Sequence, residues 1–221
     1  MKVCTDACLF GSLLPTSSEG GGVKHVLDIG TGTGLLSLMY AQKDPDVIID
    51  AVEIDEAAAQ QAKENFDASL WKERLNVYNS SIQQFAETAA HKYDIIISNP
   101  PFYEDDLKSS DAKRNLALHS EELKLNKLIA IAEKLLNDGG RLFVLLPYHR
   151  TEEFTQLIAG KLFIKEKIFI KQTPKHNYFR SIFRLTKQVA NVDQSEIIIM
   201  NGKNEYSDLF KGLLKDYYLA L

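Results

Sequence analysis

Lys24-His25-Val26-Leu27-Asp28-Ile29-Gly30-Thr31-Gly32-Thr33-Gly34 is a short apolar run that ends in an acid and three alternating glycines. The spacing predicts a strand over Lys24–Ile29 and a helix over Gly34–Gln42. Glycines at such a turn permit positive φ and let a ligand approach the backbone. The helix N-terminus behind them aims amide hydrogens at whatever sits there.

Outward from this turn the chain alternates. Val47–Ile54, Leu75–Tyr78, Tyr93–Ser98 and Arg141–Leu146 read as strands, and Glu56–Leu70, Ile82–Ala90, Glu121–Asn137 and Thr151–Lys161 as helices. Asp138-Gly139-Gly140 is a C-cap signal for the third of those helices. Strands separated by helices imply crossovers and a parallel sheet. Apolar runs without polar alternation mean that both faces are covered. The expected fold is an open α/β, Rossmann-like doubly wound sheet. Phe163–Gln172, Tyr178–Thr186 and Glu196–Asn201 follow as strands with no helix between them, which predicts an antiparallel edge. Glu205–Leu219 closes the chain as an aromatic amphipathic helix.

The 221 residues suit one domain, 1–221, and 45% hydrophobic with 25% charged residues is a globular composition. A balance of 26 basic against 30 acidic residues excludes a globally basic nucleic-acid coat protein, though not a local basic patch. Two cysteines, Cys4 and Cys8, suggest a reducing compartment and too few ligands for a metal. No apolar run approaches the ~20 residues that span a bilayer, and Ala7–Leu14 lacks the flanks of a signal peptide. A cytoplasmic protein with no membrane contact and no obligate protein partner is expected. Thr16–Gly22 reads as a loop separating a short N-terminal segment, residues 1–15, from the main fold.

Two ligand classes compete for the glycine turn. A dinucleotide fingerprint counted from Gly30 needs its third glycine at Leu35, and no Walker lysine follows. The acid-led spacing, Asp28-x-Gly30-x-Gly32-x-Gly34, suits a ligand with positive charge, such as the ammonium of a methionine moiety. Glu53, at the end of the second strand, stands where a carboxylate accepts ribose hydroxyls. Asp55 reads as the next helix's N-cap, and Ser81 as either a cap or an adenine contact.

The fourth strand runs straight into Asn99-Pro100-Pro101-Phe102. Two prolines fix the chain in an extended form and leave their carbonyls rigidly aimed. Asn99 Oδ1 and the Pro100 carbonyl can each accept one N–H of an amine, pulling its nitrogen from planarity and freeing the lone pair. Phe102 offers a face for stacking.

Asp28–Gly34, Glu53 and Asn99–Phe102 together resemble the class I S-adenosylmethionine-dependent methyltransferases that act on adenine N6 and other amines. More narrowly, the chain resembles the bacterial tRNA1(Val) (adenine-37-N6)-methyltransferase family. Met1–Gly11, Trp71 with Arg74–Val77, Tyr206-Ser207 and Tyr217–Leu219 carry the likeness over nearly the whole chain. The resemblance implies S-adenosylmethionine as cofactor, no metal, and a flipped adenine in a tRNA anticodon loop as target. It implies that Thr5 and Asp6 close over the methionine part, that Asp28, Gly30, Thr31, Gly32 and Gly34 hold it, and that Glu53 holds the ribose. Ile54, Ser81 and Ile82 would take the adenine, and Asn99, Pro100, Pro101 and Phe102 the target base. Ser81 departs from the family's usual aspartate.

Lys161–Lys187 carries eight basic residues against Glu166 alone, so this segment is +7 while the other 194 residues carry −11. Aromatic residues are interleaved, as in surfaces that neutralise phosphates and stack unpaired bases. Lys165, Lys171, Lys175, Arg180 and Arg184 are the candidate RNA contacts, with His119 and His149 at the pocket mouth. Guanine-N2 rRNA and protein-glutamine methyltransferases share the tetrapeptide type, and a nicotinamide-dependent oxidoreductase is the rival from another class.

Overall fold

The computed structural model describes residues 4–16, 24–100, 125–203 and 205–219. Pro101, Phe102 and His119 lie outside the described residues, as does most of Thr16–Gly22. Eight strands form one sheet: β1 (Lys24–Ile29), β2 (Val47–Glu53), β3 (Leu75–Asn79), β4 (Tyr93–Ser98), β5 (Leu136–Pro147), β6 (Phe163–Lys171), β7 (Tyr178–Thr186) and β8 (Asp193–Ile198). The helices are α1 (Thr5–Ser12), α2 (Leu35–Lys43), α3 (Glu56–Asp67), α4 (Ile82–Thr88), α5 (125–135), α6 (Thr151–Ile158) and α7 (Asp208–Leu214).

The strand order is β3-β2-β1-β4-β5-β7-β6-β8. β1 to β5 are parallel, and β7 is antiparallel to both β5 and β6. The expected doubly wound sheet with an antiparallel hairpin at one side is therefore present. The outermost strand, β8, pairs with β6 in parallel. β7 turns back from β6 and inserts beside β5, so the chain must cross over before adding to the free side of β6.

Successive strand residues point to opposite faces, and two cores result. Val26, Ile49, Ile97, Phe143 and Ile170 pack on one side beneath α1, α2 and α7. Leu27, Val52, Ile96, Val144 and Phe183 pack on the other beneath α4, α5 and α6. This two-sided burial is why the strands read as apolar runs.

Some boundaries move. No turn separates α5 from β5 at Asp138-Gly139-Gly140; the strand begins at Leu136, which pairs with Tyr93, and a register shift absorbs the glycines. A Cβ on Gly140 would lie 2.8 Å from Leu136 Cγ, so a glycine is needed where the chain doubles over Leu136. The closing helix is shorter than Glu205–Leu219, because Ser207 caps it by accepting from the Phe210 amide at 3.1 Å. β8 ends at Ile198 rather than Asn201; the Ile199 and Met200 amides still donate to the Lys171 and Gln172 carbonyls, and Met200 also bridges Tyr206.

Candidate active site

The strand order reverses between β1 and β4, the switch point at which open α/β sheets bind ligands beyond their carboxyl ends. Ile29 and Ser98 are partners there, and Ser98 Oγ donates to the Ile29 carbonyl at 3.0 Å. That bond ties the glycine turn after β1 to Asn99-Pro100 after β4. Asn99 and Pro100 are both half-buried at the end of β4.

Gly30, Gly32 and Gly34 all have positive φ, at 72°, 59° and 87°. Gly34 is also a packing requirement, since a Cβ there would lie 2.4 Å from Phe66 Cε1. Gly30 differs, for nothing lies within 4 Å of where its Cβ would be. Gly30 thus opens the cradle, Gly32 supplies its left-handed backbone, and Gly34 seats α2 against α3.

Asp28 lies beneath the cradle with no exposed surface. Its Oδ2 accepts from Thr31 Oγ1 and Ser37 Oγ, both at 2.7 Å. Its Oδ1 is buried with no hydrogen-bond partner among the described residues. Burial pushes this carboxyl up to about 6, against the two hydroxyl bonds and with the Glu53 charge adding to the rise. A buried anion short of hydrogen bonds favours positive charge in the cradle above it.

Glu53 closes the turn. Oε2 accepts from the Gly32 amide at 2.8 Å and Oε1 from the Asp55 amide at 3.0 Å. Each oxygen keeps a lone pair for a further donor. Asp55 caps α3 through the Ala58 amide. Ile54 leaves 73% of its surface exposed beside Glu53, an apolar face for a flat ring. Ser81 caps α4, accepting from the Gln84 amide at 3.2 Å and donating to Gln84 Oε1 at 3.0 Å. Its hydroxyl is committed locally, while Ile82 beside it is half-buried.

The N-terminal residues meet the basic stretch. Asp6 Oδ2 accepts from Arg180 Nε at 2.7 Å. Burial would raise this carboxyl, but the hydrogen bonds from Cys4 and Arg180 and the Arg180 charge hold it below the ordinary value. Arg180 pairs across the sheet with Pro147 at the carboxyl end of β5, so this contact holds the start of α1, with Thr5, over the ligand-binding edge. Cys4 and Cys8 are free.

The other basic candidates divide along the strands. Lys171 ends β6 at the carboxyl edge, bonded to Glu196 at 3.2 Å, and Lys175 is exposed in the following hairpin turn. Lys165 lies six residues before Lys171, roughly 20 Å back along the strand. Arg184 sits over Phe143 in mid-sheet, 5.7 Å from the ring centre. His149 is exposed just past β5. Nothing in the spacing singled out its neighbour Tyr148, which is 38% exposed at that same end. A lone aromatic after a strand-ending proline was the only trace of it.

Fold and turn together define a class I methyltransferase: the switch-point crevice, the acid-led glycine cradle and the acidic end of β2 fit S-adenosylmethionine. The buried Asp28 charge suits an ammonium, Glu53 a diol, and Ile54 an adenine. Comparison with known proteins narrows the class. The profile of the Methyltransferase small domain matches residues 9–198. A Flavobacterium johnsoniae protein, tRNA1(Val) (adenine(37)-N6)-methyltransferase, is 36% identical over 223 residues, covering 100% of this chain and 94% of its own. A Yersinia enterocolitica protein of the same name is 36% identical, covering 99% of this chain and 86% of its own. The fold matches a predicted O-methyltransferase from Agrobacterium tumefaciens with a TM-score of 0.73 at 17% identity, covering 95% of each chain. It also matches TrmN from Thermus thermophilus with a TM-score of 0.59 at 19% identity, over 83% of this chain and 48% of that one. The chain belongs to the tRNA1(Val) (adenine(37)-N6)-methyltransferase family.

Proposed function

We propose that this protein transfers a methyl group from S-adenosylmethionine to the N6 amine of an unpaired adenine in a tRNA anticodon loop, position 37 of tRNA1(Val), in the cytoplasm. The observation that carries the reading is the pairing of Ile29 with Ser98, which sets the cofactor cradle beside Asn99-Pro100.

S-adenosylmethionine supplies an electrophilic methyl group on a sulfonium centre. The buried Asp28 charge favours the ammonium of its methionine part, while Glu53 takes its ribose hydroxyls, and Ile54 with Ile82 one face of its adenine. Thr5 and Asp6 cover the methionine end. Ser81 stays with its helix.

Asn99 Oδ1 and the Pro100 carbonyl accept the two N–H bonds of the target amine. Acceptors placed before the reaction stabilise the positive charge that develops on nitrogen, and they need no reorganisation when it appears. Holding the nitrogen at the cradle also removes much of the entropic barrier to encounter. The methylated nitrogen is strongly acidic until it sheds its extra proton, so water takes that proton and no base of matched pKa is required. Pro101 and Phe102, which lie outside the described residues, complete the proposed set for the target base. The target base must leave its stack, at a cost of a few kcal/mol that an unpaired loop reduces. Lys171 and Lys175, at the carboxyl edge, meet the loop phosphates.

The test is nucleoside mass spectrometry of tRNA incubated with the protein and methyl-labelled donor. N6-methyladenosine at one anticodon-loop position is expected. Label in N2-methylguanosine, or in protein alone, overturns the assignment.

A further inference from the structure

Tyr148, Phe169 and Tyr178 form a triangle at the carboxyl edge of the sheet. Their ring centres are 5.5 Å apart for Tyr148–Phe169, 5.1 Å for Tyr148–Tyr178 and 5.2 Å for Phe169–Tyr178. The three rings differ in what they leave open. Phe169 is buried as the floor. Tyr178 is held by its hydroxyl, which donates to Glu196 at 2.7 Å, and Lys171 Nζ sits 4.4 Å from its ring centre. Tyr148 is 38% exposed, while Tyr178 is partly buried.

The position of this ring is set by the sheet. Val144 pairs with Ser98, so the target-holding Asn99 lies level with Leu145 on the neighbouring strand. Pro147 ends the strand two residues later, roughly 7 Å further along and one strand, about 5 Å, to the side, and Tyr148 opens the short 3-10 turn that follows it. That is the reach of one or two nucleotides from a base held at Asn99. Lys175 and His176 are exposed in the turn that leads into Tyr178, and Lys171 Nζ lies 4.4 Å from the Tyr178 ring centre. A rigid, partly exposed ring beside cations is the arrangement that stacks an unpaired base without reading its sequence.

We infer that Tyr148 is a positioning residue: its ring stacks an unpaired RNA nucleotide flanking the flipped adenine and so fixes the loop while the target sits at Asn99-Pro100. This rests on the tRNA reading above and deepens it. The occupant is a nucleobase rather than a protein side chain, because Phe169 and Tyr178 belong to a segment, Lys161–Lys187, that carries +7, and the partly exposed Tyr148 ring packs against both.

The experiment compares wild type with Tyr148→Ala, Tyr148→Phe and Tyr148→Leu on a synthetic valine-tRNA anticodon stem–loop carrying 2-aminopurine beside the target adenine. Wild type should quench the probe on binding. Tyr148→Ala should raise KM for RNA by about 5- to 150-fold, the range for loss of one stacked base, and abolish the quench. Affinity for S-adenosylhomocysteine and the melting temperature should stay put. Tyr148→Phe should restore both readouts and Tyr148→Leu neither. Equal rescue by leucine would mean packing, not stacking, and overturns the inference, as does an unchanged KM and quench in Tyr148→Ala. If wild type methylates no tRNA, the underlying reading fails and takes the inference with it; an active wild type with an indifferent Tyr148 sinks the inference alone.

Discussion

In the proposed mechanism Asn99 and Asp28 both meet positive charge, and each supports a prediction. In the proposed reaction Asn99 Oδ1 is one of two acceptors at a developing cation. Asn99→Ala should leave S-adenosylhomocysteine binding within a few fold and cut single-turnover methylation by ~10²–10³, the loss typical of one preorganised polar group. Full turnover in that variant would contradict the mechanism. Asp28 stores free energy for its ligand. Its carboxyl titrates near 6 in the fold, against about 3.9 in an unfolded chain. The folded state therefore binds the proton more tightly, and stability falls as pH rises between those values. Above pH 6 the ionised group costs about 3 kcal/mol. Asp28→Asn removes that cost but leaves a buried amide short of partners, worth about 1–3 kcal/mol. The net change at one pH is thus small, and the pH dependence is the better readout. Relative to wild type, the variant should gain about 2 kcal/mol in urea unfolding between pH 4 and pH 7, while losing the cofactor at every pH. A constant difference across that range would mean that Asp28 is not the strained group.

At the scale of elements, most strands were legible, whereas the bounds of β5 and β8 and the ends of several helices were not. β1, β4 and β7 fall where the apolar runs do, because both faces of the sheet are covered and every strand residue in the run is buried or partly so. Helix ends depend on single hydrogen bonds, as at Ser207, and on tertiary pairing, as at Leu136, which no periodicity records. The cradle was legible for a similar reason: three alternate glycines serve a backbone shape. The bond between Asp6 and Arg180 was hidden, since 174 residues separate its partners. That bond supports a prediction for α1. Leu9 and Phe10 are fully buried, and each contributes roughly 1.5–3 kcal/mol to docking the helix. One partly buried ion pair contributes less, so Asp6→Asn should fray the first turn without releasing the helix. Asp6 has a depressed pKa, so its contribution is present above the unfolded value and is lost as pH falls through the folded one. Amide exchange at residues 4–8 should be faster in the variant at pH 7, and the difference should shrink below about pH 4. Uniform protection in both proteins at pH 7 would show that the pair holds nothing.

On the scale of the whole molecule, charge is segregated, and the sheet sorts the basic segment further. A net −4 chain with +7 in one stretch would repel RNA everywhere except there. Composition could find that stretch but could not say which end of β6 each lysine occupies. Lys171 and Lys175 fall at the carboxyl edge with Asn99, and Lys165 lies toward the amino end. Lys171 is already shared with Glu196, whose carboxylate raises its pKa. Lys175 is the more available cation for a phosphate. Each phosphate neutralised on single-stranded RNA adds about 0.7 to the slope of log affinity against log salt. Lys175→Ala should therefore weaken anticodon stem–loop binding at low salt and flatten that slope by about 0.7. Lys165→Ala removes the same formal charge and serves as the control, with its slope expected unchanged. Filter binding of the stem–loop from 50 to 300 mM salt, roughly the range over which such contacts fade, reads both. Equal flattening in the two variants would mean that the RNA senses the segment's total charge. A change confined to Lys175→Ala places the RNA over the carboxyl edge, where the geometry of β6 and β7 puts the aromatic triangle and the methyl-transfer site on the same side of the sheet.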